Sequence, residues 1–217
     1  MIAVVDYKAG NLTSVIKALR AVGAHLTLTE DPDVVRRAEK IVLPGVGHFA
    51  ATGVLESSGL KETIAERIAQ GTPFLGICVG MQWLLEGSAE APRHRGLGYF
   101  RGQCERFPEG IEKVPHVGWN RIVTRTSPPS RLFANMDQEQ NQLVYFTHSY
   151  YVPASSSRIV TGRDIEIRAM AALTPYPAEE EFASAVEHDN VMGVQFHPEK
   201  SGVVGLRVLR NFVELPC

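Results

Sequence analysis

The sequence predicts an α/β protein with a three-layer architecture: a mostly parallel central sheet, helices on both of its faces, and a smaller antiparallel strand layer. Three observations carry this expectation. The first half of the 217-residue chain alternates short apolar runs with helical stripes. Short apolar runs such as 2–5 and 74–77 suit strands buried on both faces. The second half turns to strand-like segments punctuated by Pro and Gly, and the chain closes on one more helix.

Taken in order, Ile2–Val5 reads as a buried strand. Asn11 then caps a helix whose Leu12, Val15, Ile16, Leu19 and Val22 form an i, i+3, i+4, i+7 stripe ending at Gly23. Residues 25–29 alternate as a strand, and residues 40–43 form another apolar run stopped by Pro44-Gly45. Leu60, Ile64 and Ile68 mark a helix closed by Gly71. Residues 74–77 form the next strand, and a new helix starts at once, through Met81, Leu84 and Leu85. Repeated βα units of this kind build a parallel sheet with covered faces. Between Gly98 and Gln195 the strands predicted are 103–107, 121–124, 143–146, 150–153, 183–188 and 191–195. Segment 163–181 mixes strand-like and acidic, loop-like pieces. A final helix spans 201–214, with Val204, Val208 and Phe212 on one face. No linker or repeat divides the chain, so one domain over 1–217 is expected.

Composition excludes several classes. Hydrophobic residues make up 44% and charged residues 21%, which is ordinary for a packed domain. The net charge of −2 offers no basic field for nucleic acid. The longest apolar run, around 76–85, is too short to cross a bilayer, and the N-terminus carries no basic leader before its apolar stretch. Cys78, Cys104 and Cys217 form neither a metal-binding spacing nor a disulfide framework, so no metal and a reducing, cytoplasmic setting are expected.

One of those cysteines stands apart. Gly76-Ile77-Cys78-Val79-Gly80 follows a buried strand and precedes a helix, the cysteine form of a nucleophile elbow. A sharp strand-to-helix turn lifts the sulfur above the sheet edge. Small residues two before and two after let neighbouring backbone pass closely. The helix N-terminus behind the turn favours negative charge and can hold an oxyanion. A lone free cysteine is most often a small buried hydrophobe, the reading kept for Cys104 and Cys217.

A thiol nucleophile needs a base, and the base an orienting group. His197 follows the apolar strand 191–195 in His197-Pro198-Glu199. Pro198 fixes the backbone there, and Glu199 can turn back onto the imidazole. Among seven histidines it is the leading base. Pro44-Gly45-Val46-Gly47 ends a strand at the C-terminal sheet edge, where open α/β sheets bind ligands and where glycine backbone can present N–H groups.

The three motifs Pro44-Gly45-Val46-Gly47, Gly76-Ile77-Cys78-Val79-Gly80-Met81-Gln82 and Gln195-Phe196-His197-Pro198-Glu199 together resemble those of the triad-type, class I glutamine amidotransferases, over nearly the whole chain. Four further stretches resemble, within that class, the glutaminase subunits of imidazole glycerol phosphate synthase from histidine biosynthesis. They are Asp6-Tyr7-Lys8-Ala9-Gly10-Asn11-Leu12, Val114-Pro115-His116-Val117-Gly118-Trp119-Asn120, Phe146-Thr147-His148-Ser149-Tyr150-Tyr151 and Pro198-Glu199-Lys200-Ser201.

The resemblance implies that Cys78, His197 and Glu199 hydrolyse glutamine through a γ-glutamyl thioester without a cofactor. It implies an oxyanion hole from the N–H of Val79 and of the Val46-Gly47 strand, and glutamine held by Gln82, Glu90, Ser149 and Tyr150. It also implies a (β/α)₈ cyclase subunit that receives the ammonia and makes imidazole glycerol phosphate and an aminoimidazole carboxamide ribonucleotide. Asn11, Trp119, Tyr145 and Lys200 match positions facing that partner. Trp119, in a turn-like Gly118-Trp119-Asn120 setting, suits either an interface anchor or a core aromatic. Departures from the family are Val79 where Leu is commoner, Trp83 where a smaller aliphatic is usual, and the lack of a glycine after Tyr176 in 174–182. The alternative is a stand-alone cysteine hydrolase, such as a γ-glutamyl peptidase on the same scaffold.

Overall fold

The computed structural model describes residues 1–8, 12–110, 113–125, 129–136, 142–154, 158–160, 166–168, 170–176 and 181–216. Asn11 and Cys217 therefore lie outside the described residues, as do 177–180 within the stretch 174–182.

The elements run in chain order as β1 (Ile2–Val5), α1 (Leu12–Ala21), β2 (Leu26–Thr29), α2 (Pro32–Arg36) and β3 (Lys40–Gly45). A 3₁₀ turn (Phe49–Thr52) leads into α3 (Gly53–Ser57), α4 (Leu60–Ala69), β4 (Phe74–Cys78) and α5 (Val79–Gln82). Then come β5 (Gly87–Ser88), β6 (Gln103–Arg106), β7 (His116–Thr124), β8 (Gln142–His148), β9 (Tyr150–Tyr151), β10 (Arg158–Val160) and β11 (Glu166–Arg168). The chain finishes with β12 (Met170–Pro175), β13 (Glu181–His188), β14 (Val191–Val194), a 3₁₀ turn (Pro198–Lys200) and α6 (Gly202–Val213).

One nine-stranded sheet dominates, in the order β2-β1-β3-β4-β14-β13-β12-β7-β8. Its first five strands are parallel, and every pairing from β14 onward is antiparallel. The antiparallel strands thus extend the parallel sheet. A separate small sheet, β5-β6-β9, provides the additional strand layer. Strands β1, β3, β4 and β14 are buried along their whole length, which explains their apolar sequences; the exception, Lys40 at the start of β3, has its ammonium donating to the Val213 and Leu215 carbonyls. The crossover from β1 to β2 and that from β3 to β4 move in opposite directions along the sheet. Right-handed crossovers then put α1 and α4 on opposite faces. The contacts agree: α1 packs against α6, and α2 against α4. On α4 the buried face Leu60-Ile64-Ile68 is the one predicted from its spacing; of the stripe predicted on α1, Val15 and Leu19 are buried, together with Ala18, while Leu12, Ile16 and Val22 are half-buried.

Several elements differ in extent from the sequence reading. The helix after Cys78 stops at Gln82, well before Leu84 and Leu85. Its onward carbonyls are captured by the loop that follows. Leu97 N–H donates to Trp83 O, Phe100 N–H to Leu84 O and Gly98 N–H to Leu85 O. Trp83 is fully buried and packs near Phe74, which accounts for a large aromatic at this position. Strands β7 and β8 are longer than predicted because they pair with each other from His116↔His148 to Ile122↔Gln142. Part of the ambiguous stretch 163–181 forms β12, whose Thr174 and Pro175 pair with Phe182 and Glu181. Helices α2 and α3 and the Phe49–Thr52 turn are too short to show a periodic stripe.

Candidate active site

The sheet register brings the three sequence motifs together. Gly45 at the end of β3 lies opposite Cys78 at the end of β4, and Val194 at the end of β14 lies opposite Ile77. The segments that follow, Val46-Gly47, Val79-Gly80 and Gln195-Phe196-His197, therefore emerge side by side at the C-terminal edge of the parallel strands, where ligands bind in such sheets.

Cys78 sits at the tip of the β4–α5 turn with φ 54° and ψ −108°, a backbone conformation that a non-glycine residue rarely holds. Close backbone crossings impose that turn. A Cβ on Gly76 would lie 2.4 Å from the Gly80 carbonyl oxygen, and one on Gly80 would lie 1.9 Å from the Leu43 carbonyl oxygen. Any side chain at either position would push the strand, the turn and β3 apart. The two glycines of the elbow are thus packing requirements of the strained cysteine.

His197 is fixed from three directions. Its backbone N–H donates to the Tyr145 carbonyl, and its carbonyl accepts from the Ser201 hydroxyl at 2.6 Å. Pro198 starts the 3₁₀ turn that folds Glu199 back, and Nδ1 of His197 lies 2.9 Å from Glu199 Oε1. The side chains of this pair are 1% and 3% exposed. With Nδ1 committed to Glu199, Nε2 is left for Cys78. No contact of Nε2 meets hydrogen-bond geometry among the described residues. The sulfur is nevertheless near enough to act on it electrostatically. Burial, the largest influence, pulls the His197 pKa down, but interaction with Cys78 and Glu199 outweighs it and pushes the pKa up to about 10. The two neighbours thus favour the protonated imidazole beside the sulfur.

A cavity of about 290 Å³ opens onto Cys78. Its lining holds every predicted oxyanion and glutamine-binding residue: Val46, Gly47, Val79, Gln82, Glu90, Ser149 and Tyr150. Gly47 has φ +106°, which glycine holds without strain. The Glu90 carboxylate accepts the Phe49 N–H at 2.7 Å, so the turn after the Val46-Gly47 segment pins it toward the cavity. Both hydrogens of the Gln82 amide are spent inside the protein, on the Tyr150 carbonyl at 2.9 Å and on Gln195 Oε1 at 3.1 Å. Gln82 thus has only its own carbonyl oxygen left for a ligand.

Three of the predicted partner-facing residues form one exposed cluster. Trp119 and Tyr145 are cross-strand partners on β7 and β8, in edge-to-face contact at 6.2 Å, and Lys200 Nζ stands 5.5 Å above the Tyr145 ring. Trp119 is 56% exposed, which rules out the core-aromatic alternative. Cys104 is fully buried, and burial drives its pKa far upward, as expected of a structural thiol.

The sequence reading missed groups that surround Cys78. Gln195 donates from Nε2 to Cys78 Sγ at 3.5 Å. His148 lines the cavity and pairs with His116, Nδ1 of His116 lying 3.2 Å from Nε2 of His148. Burial pushes the pKa of His148 down to about 3, with His116 adding to it, and burial takes that of His116 to about 4. Both are neutral at working pH. Tyr7 places a buried hydroxyl, without a hydrogen-bond partner among the described residues, against Gly45. Burial and the Cys78 charge hold it protonated. Gln195, His116 and His148 all stood within stretches already singled out; what the sequence did not show is that the two histidines, 32 positions apart, pair with each other. Among the described residues no cluster of three or more His, Cys, Asp or Glu side chains is arranged to hold a metal ion.

A cysteine in a strained strand-to-helix turn, with a buried histidine–glutamate pair beside it on the edge of a parallel sheet, is an arrangement suited to thiol-dependent acyl transfer. The family model of class-I glutamine amidotransferases matches residues 3–215, and the chain belongs to that family. Within it, the chain is 44% identical over 221 residues to imidazole glycerol phosphate synthase subunit HisH of Geobacter sulfurreducens, covering 99% of this chain and 98% of that protein. It is 45% identical to the subunit of the same name from Chloroflexus aurantiacus, covering 98% and 95%. The chain is thus a member of the HisH family of synthase subunits. The fold is also that of the solved structure of PurLQS from Thermotoga maritima, with a TM-score of 0.68 at 18% identity, over 97% of this chain and 96% of that one. No helix among the described residues is long and apolar enough to cross a membrane.

Proposed function

We propose that this chain, working as one amidotransferase domain over 1–217, is the glutaminase subunit of imidazole glycerol phosphate synthase in histidine biosynthesis. Cys78, His197 and Glu199 are its catalytic residues. The observation that carries the reading is an elbow cysteine that shares one cavity with the full set of predicted binding residues, with the buried His197–Glu199 pair close enough to the sulfur to act on it.

Glutamine enters the cavity with its side-chain amide beside Cys78. The Cys78 thiolate attacks the amide carbon, and the oxyanion that forms is met by the N–H of Val79 and an N–H of the Val46-Gly47 strand. His197 gives its proton to the departing nitrogen, so ammonia leaves and a γ-glutamyl thioester remains. A water molecule then attacks the thioester while His197 takes its proton. The carbon–sulfur bond breaks, and glutamate is released with the thiolate restored. Glu199 holds Nδ1–H of His197 throughout, keeping Nε2 toward the sulfur. The pinned Glu90 carboxylate suits the α-amino group of the substrate, and Ser149 and Tyr150 line the same cavity.

The partner is a (β/α)₈ cyclase that receives the ammonia. The Trp119-Tyr145-Lys200 cluster is the proposed docking face, with Asn11, outside the described residues, assigned to the same face by resemblance. An exposed aromatic pair under a lysine is the composition of an interface anchor.

Glutamate release from glutamine, measured with and without the cyclase subunit, tests the reading. Strong stimulation by the cyclase supports it. Robust partner-independent cleavage of γ-glutamyl peptides would replace it with the stand-alone hydrolase.

A further inference from the structure

The sulfur of Cys78 has a second polar neighbour besides His197, and its polarity can be worked out from a fixed point. That point is the Tyr150 carbonyl, which can only accept. It receives the Gln82 side chain at 2.9 Å, so the atom of Gln82 facing it must be the NH₂ group. The same NH₂ group also faces the Gln195 amide at 3.1 Å, so the atom of Gln195 turned toward it must be the carbonyl oxygen. The other end of the Gln195 amide, its NH₂, is left pointing at Cys78 Sγ, 3.5 Å away. Amide oxygens and nitrogens are interchangeable by shape alone, but this chain of partners leaves Gln195 one orientation. Its side chain is fully buried, and its backbone N–H is tied to the Ser184 carbonyl at 2.9 Å, so the amide has no aqueous alternative. Nδ1–H of His148 donates to the same Tyr150 carbonyl at 2.9 Å, which further fixes the starting point.

We propose that Gln195 is a further catalytic residue: an N–H donor to the Cys78 sulfur, oriented by Gln82, that stabilises the thiolate before attack and again when the thioester collapses. The proposal rests on the reading of Cys78 as the nucleophile. No proton is transferred by Gln195. When the carbon–sulfur bond breaks, the electron pair returns to sulfur, and the amide N–H receives that charge as His197 carries the mobile proton. A hydrogen bond to an ionised group is about twice as strong as a neutral one, so the donor acts on the thiolate far more than on the thiol. It also restricts the sulfur to one rotamer, facing the cavity.

Gln195→Met keeps the side chain's length and removes the donor. Iodoacetamide alkylation of Cys78, followed at pH 7 by mass spectrometry of its peptide, reads thiolate reactivity without requiring glutamine. The expected result is alkylation about tenfold slower than wild type, and a kcat in the cyclase complex that falls by a similar factor. Gln195→Asn, which keeps a buried amide but draws it back from the sulfur, should slow alkylation too, and it repeats the test if the Met variant melts early. A folded variant alkylated at the wild-type rate or faster overturns the proposal. Because the alkylation readout does not depend on the physiological substrate, a wild-type chain that fails to release glutamate would sink the functional reading without altering this comparison.

Discussion

Replacing Glu199 by Gln keeps the shape of the buried pair and deletes its charge. In the native site Glu199 Oε1 lies 2.9 Å from His197 Nδ1, with side-chain exposures of 3% and 1%. A hydrogen bond to a charged group in such a setting contributes about 1.5–3 kcal/mol. At about 1.4 kcal/mol per tenfold, its loss lowers kcat/KM by roughly 10- to 150-fold. The loss should fall on kcat, because Glu199 does not line the substrate cavity. The pH profile carries a sign as well. Burial pulls the His197 pKa down, and Cys78 and Glu199 together lift it to about 10. Without the carboxylate the imidazole releases its proton at lower pH, so the alkaline limb of the rate moves toward neutrality. Stability follows the same linkage. The raised pKa contributes stability that is fully present below about pH 6.5 and lost as pH rises through 10, so the variant's deficit should be largest in mild acid and shrink in alkali. The assay is glutamate release across pH with saturating cyclase. A kcat/KM within twofold of wild type, a loss confined to KM, or an alkaline limb that moves upward would refute the role given to Glu199.

Other consequences are open to direct measurement. Gly80→Ala places a Cβ against the Leu43 carbonyl, so the elbow must shift; a loss of about 1–3 kcal/mol in denaturant unfolding and near-complete loss of glutaminase activity are expected. His148 is held neutral with its pKa near 3, so unfolding takes up a proton as pH falls from about 6.5; thermal melts should show about 2 kcal/mol of lost stability at pH 5 from this group, and a melting temperature flat between pH 7 and 5 would contradict it. Trp119→Ala should weaken cyclase binding by 2 kcal/mol or more, about 30-fold, in calorimetry, while leaving the melting temperature of the isolated chain within a degree or two, since the indole is exposed.

The parallel half of the fold was legible because most of its strands are buried on both faces and its longer helices carry regular stripes, as at Val15 and Leu19 and at Leu60-Ile64-Ile68. The elbow was legible because close backbone crossings admit only glycine at 76 and 80. The helix beyond Gln82 was overextended because what ends it is tertiary: the loop at 97–100 takes the carbonyls that a continuing helix would have used. Short elements such as α2 and α3 hold too few residues to show a period. Within the site, charge and nucleophile were readable from motifs. The amide orientation of Gln195 and the His116–His148 pair were not, because both arise from strands distant in sequence that meet only in the folded sheet.

The division of labour between this chain and a cyclase turns on the Cys78 sulfur. The cyclase complex carrying Cys78→Ala, assayed for synthase turnover first with glutamine and then with ammonium salt as nitrogen source, tests it directly. Glutamine-dependent turnover should vanish while ammonia-dependent turnover stays at the wild-type level. Retained glutamine-dependent synthesis, or loss of the ammonia-dependent reaction in a folded complex, would contradict it.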